Sequence, residues 1–113
     1  MRLFISILLI ASALIFSPRS EAYFLSGNAM IGYIDQADED EGNLFDGLVL
    51  GFITGVHDSS EVLRSEQGIC IPDNATVGQL RAIFTKFLKE NPEIWDKPAW
   101  VTALVAFKVA FPC

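Results

Sequence analysis

The sequence predicts an all-α domain: a small bundle of four to five helices stapled by one disulfide. Three observations predict it. Past residue 23, apolar residues recur at three- and four-residue spacing, the period of a helix face. Capping residues precede those stretches (Ser26, Asn43, Thr76) and Asn91-Pro92 stops one of them. The chain's two cysteines, Cys70 and Cys113, enclose the two best-marked helices. No segment reads as a credible strand.

The opening residues belong to a different class of segment. Arg2 is followed by the uncharged run Leu3 to Phe16, then by the small-x-small site Ser20-Glu21-Ala22. This is the pattern of a secretory signal peptide over residues 1–22, cleaved near Ala22. The run is short for a membrane span, which needs ~20 residues. No later stretch could cross a membrane, so residues 23–113 are expected to be one domain with no membrane attachment after cleavage.

The whole chain carries a formal charge of −6. Losing Arg2, Arg19 and Glu21 removes two positive charges and one negative, which leaves −7 on the expected mature domain. That sign argues against nucleic acid and anionic lipid as ligands and permits a basic protein partner. Two cysteines in an exported chain favour a disulfide, with two free thiols as the alternative. Closing a loop of this length contributes about 4 kcal/mol in the chain-entropy picture.

Taken in order, Ser26 caps a helix expected to run to about Gln36, with Ala29, Met30, Tyr33, Ile34 and Ala37 along one side. Asp35, Asp38, Glu39, Asp40, Glu41 and Asp46 then crowd together with no basic residue among them. Such repulsion disfavours burial, so Ala37 to Asn43 is expected to be an exposed acidic loop. Its simplest role is a solvated connection that keeps the protein soluble. Asn43 caps the next helix, expected to end near Asp58. Leu44, Leu48, Phe52 and Val56 form one apolar row of that helix, and Phe45, Val49 and Ile53 the adjoining one. Gly47, Gly51 and Gly55 make a third row without side chains. Each costs up to ~1 kcal/mol of helix propensity. Close approach of another helix, within the chain or from a second copy, would compensate.

Val62 to Gly68 reads as a helix end and a polar loop, with Arg64 and Glu66 facing solvent. Ile69 to Pro72 returns extended to the core and Asp73-Asn74 turns the chain. Thr76-Val77-Gly78-Gln79 fits a capping box. Leu80, Ile83, Phe84, Phe87 and Leu88 then form an unbroken stripe, ended by Asn91-Pro92. Asp96 is the expected cap of a last helix starting at Lys97, apolar nearly all round and therefore expected to be buried centrally. Phe111-Pro112-Cys113 pins its end.

No constellation for catalysis stands out. His57 is the only histidine, and beside Asp58 at a helix end it reads as structural. Sequence neighbours rarely converge on one reacting atom, and no Gly-x-Ser-x-Gly elbow exists. One histidine and a disulfide do not make a zinc site. No cofactor or metal is expected, and the chain reads as a binding protein, not an enzyme.

Three pieces together resemble a known family. They are Gly51-Phe52-Ile53-Thr54-Gly55-Val56-His57-Asp58; Cys70-Ile71-Pro72-Asp73 with Val77-Gly78-Gln79-Leu80; and Lys86-Phe87-Leu88, Asn91-Pro92, Ala99 and Phe111-Pro112-Cys113. Their order and spacing over most of residues 47–113 resemble the Rap/Tai immunity proteins of type VI secretion systems. The resemblance implies a periplasmic helical protein that neutralises a peptidoglycan amidase toxin of papain-like Cys–His chemistry and forms a homodimer. The chain departs from the family in one respect. Many members carry a further cysteine pair, where this sequence has Ile31 to Ile34 and Val49-Leu50.

An inhibitor of this kind needs a rigid scaffold and a displayed segment. Two segments qualify: Asp38, Glu39, Asp40 and Glu41 with the loop to Asn43, and Ser59, Ser60, Glu61 and Arg64 with the loop to Gly68. Gly47, Gly51 and Gly55 are the candidate packing surface for a second copy. The competing class is a small periplasmic acid-stress chaperone of the HdeA type, which would expose apolar surface as its clustered carboxylates lose charge.

Overall fold

The computed structural model describes residues 24–113 and Met1. The expected signal peptide lies outside that stretch. The described elements are α1 (Gly27–Glu39), α2 (Leu44–Ser59), a single turn α3 (Glu61–Arg64), α4 (Val77–Glu90), a 3-10 turn (Pro92–Ile94) and α5 (Ala99–Ala110). Among the described residues β-pairing is confined to two isolated bridges, so the domain is all-α as the sequence predicts.

Each long helix except α5 begins on a side-chain cap. Ser26 accepts from the Ala29 amide, Asn43 from Asp46 and Thr76 from Gln79. At Thr76 the Gln79 side chain also accepts from the Thr76 amide at 2.8 Å, which closes the capping box. The Thr76→Ala variant should lose about 1 kcal/mol of stability in chemical unfolding. An unchanged midpoint would show the cap to be redundant. Asn43 has a second role. Its Nδ2 donates to Gln36 O at 2.8 Å, tying the start of α2 to the end of α1.

The core collects Met30 and Ile34 from α1, Val49, Ile53 and Val56 from α2, Leu80, Phe84 and Leu88 from α4, and Ala99, Ala103, Ala106 and Phe107 from α5, with Ile69 between α3 and α4. On α2 the inward row is Val49, Ile53 and Val56, flanked by half-buried Phe45 and Phe52. Leu44 and Leu48, expected inside, are 74% and 46% exposed. Two adjacent apolar rows made the stripe wider than the face that α1 and α4 cover.

Two further expectations need correction. The acidic loop was expected from Ala37, but Ala37 is buried and α1 continues to Glu39, so the connection is only Asp40 to Asn43. The last helix was expected from Lys97 under an Asp96 cap. It begins at Ala99 with Pro98 at the N-cap position and no side-chain bond. Pro98 biases Lys97 towards extended backbone, and that backbone is used. Lys97 O accepts from the Gly27 amide and the Ala99 amide donates to Leu25 O, both at 2.9 Å. Ser26 and Pro98 form an antiparallel bridge. The residues ahead of α1 are thus strapped to the start of α5.

The other end of α5 is held in the same way. Cys70 N donates to Phe111 O at 2.9 Å, Cys113 N donates to Gly68 O at 3.3 Å, and Ile69 bridges Pro112. The expected disulfide joins Cys70 to Cys113. Between its two fixed ends α5 is not buried all round. It turns Ala99, Thr102, Ala103, Ala106 and Phe107 inward and leaves Trp100, Val105 and Val109 at 52%, 44% and 67% exposure. Its small residues face the bundle, where alanines let helices approach closely.

Candidate partner-binding surface

The two candidate segments lie at opposite ends of α2. That helix has 16 residues, a length of about 24 Å. One end carries the turn from α1, the other carries α3 and the residues leading to Gly68. The segments cannot enter one narrow cleft as a single insert.

At the acidic end the carboxylates divide into two groups. Asp38 and Asp46 are committed to α4. Arg81 Nη1 lies 2.7 Å from Asp46 and its Nη2 3.6 Å from Asp38, while Lys89 Nζ lies 3.4 Å from Asp38. The Arg81–Asp46 contact is shielded, with side chains 25% and 17% exposed. Glu39, Asp40 and Glu41 are exposed, and among the described residues no ion pair engages them. Gly42, with φ of +79°, closes the turn in a conformation that favours glycine. Three uncompensated carboxylates are therefore displayed on a short turn. A groove of about 740 Å³ runs beside them along α4, between Leu50 and the row Arg81, Lys86 and Lys89. Its cations already face Asp38, Asp46 and Glu90.

At the other end the sequence expects a displayed loop, and the structure holds it more tightly. Ser60 is not displayed. It is 7% exposed, its Oγ donates to His57 O at 3.3 Å, and its carbonyl accepts from Arg64 N at 2.9 Å. Arg64, expected to face solvent, is half-buried, with Nη1 enclosed and lacking a hydrogen-bond partner. Ser59, Glu61, Val62, Ser65, Glu66 and Gln67 do reach the surface, Val62 at 82%. Beside Gln67 lies a notch of about 340 Å³ walled by Trp100, Val101, Leu104 and Val105. Sequence reasoning missed those α5 residues because an all-apolar helix carries no signal of which side stays outside.

Among the described residues the glycine row packs against nothing outside its own helix. A Cβ placed at Gly47, Gly51 or Gly55 would meet no described atom within 4 Å beyond that helix. The expected close approach inside the bundle is therefore not made. The glycine that does sit against backbone is Gly27, where a Cβ would lie 2.8 Å from Trp95 Cα.

His57 Nδ1 lies 2.9 Å from Asp58 Oδ1, and Ser59 Oγ donates to Val56 O at 3.4 Å, so the serine does not complete a relay with that pair. Among the described residues no cluster of His, Cys, Asp and Glu could hold a metal ion, and no helix is long and apolar enough to cross a membrane.

These features define a class: a small cross-linked helical scaffold that displays charged and apolar groups at its two ends. A family model of the Rap1a immunity proteins matches residues 22–113, and the chain belongs to that family. Its members' role as immunity proteins implies binding and inhibition of a cognate toxin. Comparison with curated proteins and with solved structures gives no match.

Proposed function

We propose that the protein is a periplasmic immunity protein that binds a type VI secreted peptidoglycan amidase and occludes its cleft, protecting the producing or sister cell. The family match across the whole expected mature domain carries this reading. The disulfide supports an oxidising compartment. In this reading the segment from Ser59 to Gly68 enters the cleft, because it is held rigidly from both sides and offers Glu61 and exposed Val62. Glu39, Asp40 and Glu41 face a basic rim and speed encounter. A second copy docks on the glycine row of α2.

Co-expression tests the function. A peptidoglycan amidase that this protein captures from solution, sent to the periplasm, should lyse cells unless this protein is present. Lysis regardless of its presence would overturn the reading. Neutralising Asp38, Glu39, Asp40 and Glu41 together to Asn and Gln should slow association with that amidase about tenfold at low salt and flatten its salt dependence. An unchanged rate would remove the acidic end from the interface.

A further inference from the structure

We propose that the Cys70–Cys113 disulfide acts as a redox-conditional clasp that positions the segment from Glu61 to Gly68, not as a staple of the helical core. The single turn α3 has little of its own to hold it. It spans four residues, and Ser60 provides no side-chain cap. Its exit is fixed instead from outside. Ile69 N donates to Arg64 O at 2.8 Å, and Gly68 O, on a residue at φ +75°, accepts from Cys113 N. Cys70 N then reaches Phe111 O. Every one of these contacts lies within two residues of a half-cystine or leads directly into one. By contrast, α1, α2, α4 and α5 meet mainly through buried side chains outside the clasp, which adds Ile69 to that core and lays Ile71 and Phe111 against it. The bond thus closes the displayed segment against residues 111–113, while most of the bundle's packing lies outside it.

Both half-cystines are exposed, so a dithiol can reach the bond. One thiolate of a small dithiol attacks a sulfur of the pair and releases the other as a thiol. The second thiolate then displaces the mixed disulfide. Two protein thiols form, and the dithiol leaves as its cyclic disulfide, with two electrons transferred. After reduction only the backbone bonds of the clasp remain, and the segment opens locally.

Limited trypsin digestion of the full chain, with and without dithiothreitol, tests the clasp without any partner. Arg64 lies inside the segment, and Arg81, Lys86 and Lys89 on α4 serve as internal controls. Cleavage after Arg64 should rise about tenfold or more on reduction, with the α4 sites unchanged. Unchanged cleavage at Arg64, or equal acceleration at every site, would overturn the proposal, the second by making the bond a staple of the whole fold. Gly68→Ala provides an arm that keeps the disulfide. Its Cβ would meet only Lys108 Cε at 3.9 Å, so the backbone at φ +75° takes the strain. It too should accelerate cleavage at Arg64 alone, and no acceleration there would count against the clasp.

The consequence for inhibition rests on the proposed function. Reduction should weaken affinity for the amidase about tenfold, as loosened segments bind less well. Loosening at Arg64 without loss of affinity would leave the clasp intact and remove this segment from the interface.

Discussion

Phe84→Ala should lower stability by about 3–5 kcal/mol, measured as a drop in the urea midpoint with unchanged slope. Phe84 is fully buried on α4, and its ring centroid lies 5.8 Å from that of Phe52 on α2. Truncation removes that aromatic contact and leaves a cavity between two helices and α5. The domain is small, and domains have only about 5–15 kcal/mol in total, so a measurable fraction of the variant should unfold at ambient temperature. A loss under about 1 kcal/mol would mean that α4 is not central to the core.

The same substitution at two glycines should act with opposite sign. Gly27→Ala puts a Cβ 2.8 Å from Trp95 Cα and 3.0 Å from Trp95 O. That backbone cannot swing aside. Trp95 Nε1 donates to Leu88 O and Trp95 O accepts from Asn28 N, each at 2.7 Å. A cost of about 2–3 kcal/mol is expected from this overpacking. Gly51→Ala meets no described atom of its own chain within 4 Å beyond its helix, so in the monomer helix propensity should decide it, with a gain of up to ~1 kcal/mol. Unfolding midpoints of the two variants check both signs. A loss at Gly51→Ala that grows with protein concentration would put the glycine row in a contact between copies.

Much of the fold was legible because local chemistry and tertiary packing agree. Thr76 with Gln79, Asn43 and Ser26 each cap the helix their spacing suggests, and Leu80, Phe84 and Leu88 are the buried stripe of α4. The cysteine pairing also followed, since a chain with two cysteines offers one intramolecular pairing. What was not legible depends on which neighbour covers which face. Leu44 and Leu48 are as apolar as Val49, and only the positions of α1 and α4 decide that they stay outside. Trp100, Val105 and Val109 pose the same problem on α5. Asp96 looked like a cap because nothing local shows that Lys97 O is already engaged by Gly27. For the surface, the acidic residues were visible as a group. The commitment of Asp38 and Asp46 to Arg81 was not, because Arg81 lies far along the chain.

The strap at Pro98 has a consequence for how the molecule is completed. Leu25 O accepts from Ala99 N and Gly27 N donates to Lys97 O, so the entry to α1 is latched by backbone that leaves the ribosome only after α2 and α4. A truncated translation product ending before Pro98 would hold its first helix with one side of the latch missing. The bundle therefore closes like a ring, in a late step that needs both halves of the polypeptide at once, and long-range closure of that kind is slow compared with helix formation.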